Sequence, residues 1–325
     1  MIALNKNNIA FKALQPMFAV VANILLAYIV YFVARVAYLL ENYSLFKEGL
    51  SFEHLIRMFQ GGLMFDTTAI VYSNALYVLL MLFPLWFKET NTYHRFCRWL
   101  FVIVNAIGLF LNLCDAVYFP FTLRRTTTSV FREFDNENNL GSIFATELLN
   151  HWYFVLVFVV VVWGMYKLYR MPKSNIFHFN TLKNRWQFVG INFLSLAFAT
   201  VFCVGGARGG LQSGVRPITI SNANEYVKRP IECALVLNTP FALMRTIGKS
   251  IFKVPNTFAS LNNAAKYFTP IHTPNANVKA NKKNVVILIV ESFGREYIGA
   301  YNKQLEGGHY KGYTPNVDKL IKEST

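Results

Sequence analysis

Residues 16–40 read PMFAVVANILLAYIVYFVARVAYLL, a run of 25 residues that is almost entirely apolar. A helix needs about 20 apolar residues to cross the hydrocarbon core of a bilayer. The run therefore predicts a transmembrane helix. No small-residue cleavage site follows it, so we interpret it as a retained membrane anchor rather than a signal peptide.

Composition extends this interpretation to most of the chain. Hydrophobic residues make up 54% of the sequence and charged residues only 15%, whereas soluble domains carry about 25% charged residues. Four further segments have the length and apolarity of membrane spans. They are Gly62–Phe87, Leu100–Phe119, Trp152–Tyr169 and Gln187–Val204. The predicted fold class is a polytopic α-helical membrane domain with five transmembrane helices.

The lysine and arginine residues that flank the spans predict the orientation. With the N-terminus inside, the cytoplasmic flanks hold ten of these residues and the external loops hold five. Basic residues concentrate on the cytoplasmic side of membrane proteins. We therefore expect a multi-pass protein of the cytoplasmic (inner) membrane whose C-terminal part is extracytoplasmic. The net charge of +15 then follows from topology and anionic lipids, and no motif typical of nucleic-acid binding accompanies it.

The sequence divides into three parts by composition: residues 1–205 with the five helices, an extracytoplasmic linker with interfacial helices at 206–283, and residues 284–325. The linker opens with GGARGG at Gly205–Gly210, which predicts an exit turn. Within it, Thr239–Gly248 predicts a helix with Thr239 as its cap and Pro240 at its first position. This helix either lies in the membrane interface or packs on a soluble domain.

The third part begins with VVILIVESF at Val285–Phe293, an apolar run that ends on Glu291. A buried strand with a carboxylate at its C-terminal edge is how α/β sheets present a catalytic group or metal ligand. A helix is predicted over Thr314–Glu323. Because 34 residues follow Glu291 and an α/β domain needs about 100, we expect the opening of a domain here.

Two stretches of this part carry a family resemblance. The sequences NVVILIVESFGREYIGAY at Asn284–Tyr301 and YTPNVDKLIKES at Tyr313–Ser324, preceded by five spans, resemble lipoteichoic acid synthase-like proteins. These are membrane-anchored members of the alkaline phosphatase and sulfatase superfamily. The resemblance implies an extracytoplasmic α/β sulfatase-like domain that begins at residue 284.

The resemblance also implies a chemistry. Glu291 would be the first ligand of a divalent cation, Mn²⁺ or Mg²⁺, with Zn²⁺ as the alternative. A Thr or Ser nucleophile is expected beyond Thr325, so this fragment by itself is expected to be inactive. The family reaction moves a phosphoglycerol head group from a phospholipid donor such as phosphatidylglycerol to an acceptor hydroxyl in the cell envelope. The alternative interpretation of Glu291 is a side chain that caps a strand or pairs with Arg295.

Arg295 is a candidate for substrate binding, because a guanidinium matches the geometry of a phosphate. The alternative is a solvated surface pair with Glu296.

Arg35, Asp66 and Asp115 are charged residues that lie within the predicted spans. Charges in a bilayer are costly and therefore indicate function or pairing. We expect them to form an intramembrane polar cluster on the external side, together with Arg124 and Arg125. This cluster either holds the helices together or receives a lipid head group.

Three other functions remain open from sequence. A phosphoethanolamine transferase has a similar architecture but typically a GET-type strand end, whereas this chain has VES at Val290–Ser292. A sulfatase would need a Cys or Ser nucleophile motif that is not visible. A membrane-anchored binding or scaffolding protein is the non-enzymatic alternative.

Overall fold

The computed structural model describes residues 9–84, 88, 90–134, 139–172, 182–210, 217–248, 261–268, 284, 286–290 and 293–324. The chain forms two compact units, Met1–Ile251 and Phe252–Thr325.

Helices make up most of the described residues of the first unit. Its α-helices, in chain order, are α1 (Ile9–Ala13), α2 (Gln15–Glu41), α3 (Tyr43–Phe46), α4 (Phe52–Leu82), α5 (Asn91–Thr122), α6 (Val130–Glu133), α7 (Leu140–Asn150), α8 (Trp152–Leu168), α9 (Leu182–Arg208), α10 (Cys233–Val236) and α11 (Thr239–Thr246). Two 3₁₀ helices, Ile220–Tyr226 and Pro230–Glu232, precede α10.

Among the described residues, four helices are long and apolar enough to cross a membrane: Phe11–Glu41, Phe52–Leu82, Asn91–Thr122 and Leu182–Arg208. They cover four of the five predicted spans. The fifth, predicted over Trp152–Tyr169, corresponds to α8, which has only 17 residues and meets α7 at an angle of 81°. A fifth crossing exists if this bent pair counts as one span.

Local sequence explains where these helices begin and end. The hydroxyls of Ser51 and Thr90 accept hydrogen bonds from backbone N–H groups in the first turns of α4 and α5, as N-cap residues do. The exit turn expected over Gly205–Gly210 is confined to the end of that range. Helix α9 continues to Arg208, and the left-handed residue is Gly209, with φ of +81°. Glycine adopts this conformation without a Cβ penalty.

The long helices pack around α4, which contacts α2, α5 and α9. Between α4 and α5, Asn74 and Asn105 exchange two amide hydrogen bonds of 3.1 and 2.8 Å. Interhelical bonds of this kind join helices where lipid provides no hydrophobic driving force. The opposite faces expose large apolar side chains such as Leu25, Ile29 and Leu194, which suits contact with lipid.

The chain after α9 returns into the helical unit instead of running over its surface. Residues 234–242 are all buried. Helix α10 contacts α2 and α4, and α11 contacts α4 and α5. Helix α11 therefore packs within the helical unit, whereas the sequence left open an interfacial position or packing on a soluble domain. Its expected cap is wrong. Asn238, not Thr239, occupies the N-cap position, where its side-chain oxygen accepts a 2.8 Å bond from the N–H of Phe241.

The second unit contains α12 (Leu261–Ala265), α13 (Pro315–Glu323) and three 3₁₀ turns, Arg295–Tyr297, Gly299–Tyr301 and Leu305–Gly308. The predicted helix at 314–323 is thus present. The Thr314 hydroxyl does not cap it and instead contacts the carbonyl of Tyr297 at 3.4 Å.

The strand predicted over Asn284–Val290 is not formed by its described residues, and Val286–Val290 expose 65 to 91% of their surface. A β-strand needs a paired strand for its N–H and C=O groups, and no described residue supplies one. The sulfatase-like sheet is therefore not shown. Glu291 and Ser292, at the end of the predicted strand, lie outside the described residues.

Candidate functional site

Arg35 of α2 and Asp66 of α4 form a buried ion pair. The Nη2 atom of Arg35 lies 2.5 Å from Oδ1 of Asp66, and both side chains are at most 6% exposed. Nη2 also donates to the carbonyl of Gly62 at 3.1 Å. A Cβ atom at Gly62 would lie only 2.5 Å from Cζ of Arg35. The absence of a side chain at Gly62 therefore lets the guanidinium lie against the backbone of α4.

Asp115 of α5 has a different arginine partner, Arg125. Its Oδ2 accepts from Nη1 of Arg125 at 3.0 Å and from the Thr239 hydroxyl at 2.9 Å. Its Oδ1 accepts from the N–H and the hydroxyl of Thr126. The guanidinium carbon of Arg125 also lies 3.7 Å from the centre of the Tyr38 ring, a cation–π contact.

Both arginines converge on the C-terminal end of α10. Arg35 donates to the carbonyls of Leu235, Val236 and Leu237, the second at 2.7 Å. Nε of Arg125 donates to the carbonyl of Ala234 at 2.6 Å. The last carbonyls of a helix lack intrahelical partners and carry partial negative charge. The two guanidinium groups therefore satisfy these carbonyls and one carboxylate each.

The predicted polar cluster thus consists of two ion pairs joined by the segment 234–239. Asn238 completes the first pair with a 2.8 Å bond to Asp66. Arg35, Asp66, Asp115 and Arg125 are between 2 and 5% exposed. Because the four side chains are this deeply buried and bind backbone and one another, the geometry suits helix anchoring better than capture of a lipid head group.

A third buried carboxylate, Glu232, fixes the entry to α10. It accepts hydrogen bonds from Nε2 of His54 at 2.8 Å, Nε of Arg229 at 2.9 Å, and the backbone N–H groups of Lys228 and Arg229. Burial alone would raise the pKa of Glu232, but these hydrogen bonds outweigh burial and lower its pKa to about 2. Hydrogen bonding to the ionised form explains this direction.

Sequence reasoning missed a second polar junction, at the opposite end of the helices. The amide of the buried Asn23 in α2 donates to the carbonyl of Arg170 at 3.0 Å and accepts from its N–H at 2.8 Å. The same amide donates to the Tyr77 hydroxyl at 2.8 Å. Nearby in the fold, Nζ of Lys88 donates to the Asn192 side chain at 2.7 Å. The sequence feature that could have revealed this junction is the presence of asparagine, Asn23 and Asn192, inside apolar spans.

In the second unit, Arg295 is exposed and its guanidinium lies 5.7 Å from the Tyr301 ring. Its backbone carbonyl accepts from the amide of Asn302 at 2.8 Å. Glu291, the expected metal ligand, falls outside the described residues. Within the part of the chain that the structure describes, no group of three or more His, Cys, Asp or Glu side chains is placed to hold a metal ion.

The chain matches no protein-family model, no curated protein and no solved structure. The described residues define a mainly helical protein whose apolar helices are compatible with a multi-pass membrane protein.

Proposed function

We propose that this chain is the membrane-anchored portion of a metal-dependent phosphotransferase of the lipoteichoic acid synthase type. It moves a phosphoglycerol-like head group from a phospholipid, with phosphatidylglycerol as the donor, to an acceptor hydroxyl outside the cytoplasm. The active protein binds a divalent cation, Mn²⁺ or Mg²⁺, and Glu291 is one of its ligands.

One observation carries the proposal: a carboxylate, Glu291, follows the apolar run 285–290 in a chain whose described residues include membrane-length helices. Carboxylate oxygens are the ligands that hard divalent cations prefer. Such a cation, when bound, neutralises charge on a phosphoryl group and lowers the pKa of an attacking hydroxyl. Helices that hold a protein in the bilayer raise the effective concentration of a lipid substrate.

Arg295 supports the same chemistry. Its side chain is exposed while the carbonyl of the same residue is fixed by Asn302. An exposed guanidinium is accessible to a phosphate, whose geometry it matches in two parallel hydrogen bonds.

The donor lipid provides the test. Membranes that contain the complete protein should release or transfer glycerol phosphate from phosphatidylglycerol labelled in the head-group glycerol, when Mn²⁺ is supplied. Transfer from labelled phosphatidylethanolamine instead would assign the protein to the phosphoethanolamine transferases. Absence of transfer from both donors with Mn²⁺, Mg²⁺ or Zn²⁺ would contradict a phosphotransferase function.

A further inference from the structure

A groove of about 420 Å³ runs along the first turns of the α2 region, and Arg170 lines it. The other lining residues are Phe11, Gln15, Phe18, Val21, Ala22 and Leu25. Phe18, Val21 and Leu25 expose 43 to 58% of their surface. The groove therefore combines an open apolar wall with one cationic residue, Arg170, among the lining side chains that the structure describes.

The position of Arg170 is built into the fold. Asn23 is fully buried and binds both the N–H and the carbonyl of Arg170. The preceding residue, Tyr169, is also buried and its hydroxyl contacts that of Tyr77 at 3.3 Å. The backbone at 169–170 is thus fixed to α2 and α4, whereas the Arg170 side chain remains exposed. A buried asparagine in an apolar helix is costly unless paired, and here its pairing places one arginine at the groove.

We propose that this groove binds one anionic phospholipid of the membrane, with a lipid phosphate on the Arg170 guanidinium and an acyl chain along Phe18, Val21 and Leu25. Charge complementarity favours this occupant, since a guanidinium pairs with phosphate in two parallel hydrogen bonds. Basic pockets between transmembrane helices bind anionic lipid head groups in this way. The site lies at the end of the helices opposite the two ion pairs, and the proposal does not rest on phosphotransfer.

Photolabelling in nanodiscs tests the site. The full chain is placed in phosphatidylcholine nanodiscs with a trace of phosphatidylglycerol that carries a diazirine on its acyl chain, and the labelled residues are mapped by mass spectrometry. Labelling should concentrate on residues 18–25. The variant Arg170→Gln should lower it by about five-fold, which corresponds to about 1 kcal/mol per basic residue near an anionic surface.

Two further variants separate this site from general lipid contact. Leu25→Trp fills the groove and should lower labelling without a change in charge. Lys167→Gln is the matched control, because Lys167 is exposed on α8 with its ammonium 5.8 Å from the Trp163 ring and does not line the groove. It should label like the unaltered protein.

Three results would overturn the proposal. They are equal losses in Arg170→Gln and Lys167→Gln, labelling spread evenly over the exposed faces of α8 and α9, and removal of the Arg170-dependent labelling by excess inorganic phosphate. The last would assign the site to a free anion.

Discussion

At the residue scale, sequence could identify which charges need partners but not which partners they have. Arg35, Asp66 and Asp115 are conspicuous because they interrupt apolar spans. Their arrangement as two pairs depends on Arg125, which lies after the end of α5, and on carbonyls of residues 234–237. Backbone acceptors have no sequence signature, so their role appears only once the segment is seen inside the helical unit.

Removing one partner of a buried ion pair should lower the free energy of unfolding far more than removing both partners. Arg35→Met leaves Asp66 buried without its guanidinium and should lower the free energy of unfolding by about 3–5 kcal/mol, measured in mixed detergent. Arg57→Met is the control, because Arg57 is exposed and binds a single carbonyl at 2.7 Å. The double variant Arg35→Met/Asp66→Leu should recover part of the loss. A double variant as unstable as the sum of its single changes would contradict the pairing.

The ionised Glu232 should make the folding stability of the protein depend on pH. Because the pKa of Glu232 in the folded protein is about 2 and that of an unfolded glutamate is about 4.3, its contribution is present above pH 4.3 and lost as the pH falls toward 2. The difference in Tm between the unaltered protein and Glu232→Gln should therefore shrink over that interval. A difference that stays constant from pH 6 to about pH 2 would show that Glu232 is not held as a carboxylate.

At the scale of elements, the length of the apolar runs predicted the membrane helices well. A run of about 20 apolar residues is too long for most structures other than a membrane-spanning helix. The same reasoning failed for residues 217–248. Their shorter apolar runs resemble an exposed linker, yet 234–242 are buried. The burial arises from paired polar side chains on α2, α4 and α5, which hydropathy does not register. The strand expected before Glu291 could likewise not be established from local sequence, since a strand forms only where a partner strand binds its N–H and C=O groups.

Asn238 should contribute to stability in two ways, as the N-cap of α11 and as a hydrogen-bond donor to Asp66. Asn238→Ala should cost about 1 kcal/mol for the cap and about 1.5–3 kcal/mol for the bond to the carboxylate. Asn238→Asp keeps a cap acceptor but places a second carboxylate beside Asp66, so it should be at least as destabilising.

The matched control for this prediction is Asn139→Ala. Asn139 occupies the cap position of α7 without a side-chain cap bond, so its replacement should change the unfolding free energy by less than about 0.5 kcal/mol. Equal losses in Asn139→Ala and Asn238→Ala would contradict the assigned role of Asn238.

At the scale of the whole molecule, the ends of the helices are organised by charge. The end that holds Arg35, Asp66 and Asp115 also receives residues 217–248, and the opposite end holds Lys88, Arg98 and Arg170. The excess of basic residues predicts that the latter end is cytoplasmic.

Reporter fusions test this orientation. Green fluorescent protein joined after Thr90 should fluoresce, and alkaline phosphatase joined there should be inactive. Both results should invert for fusions after Gly248, because phosphatase matures only outside the cytoplasm. The reverse pattern would place the 217–248 segment inside the cell and contradict the predicted topology.

The metal dependence of head-group transfer tests the central claim most directly. Membranes with the complete protein should release glycerol phosphate from labelled phosphatidylglycerol only with a divalent cation. Glu291→Gln should lower the rate by about 100-fold or more, because replacing even a residue that only supports a metal ligand typically lowers activity by about 10–100-fold. Glu323→Gln, an exposed carboxylate at the end of α13, should leave the rate unchanged. A Glu291→Gln protein as active as the unaltered one would contradict the claim.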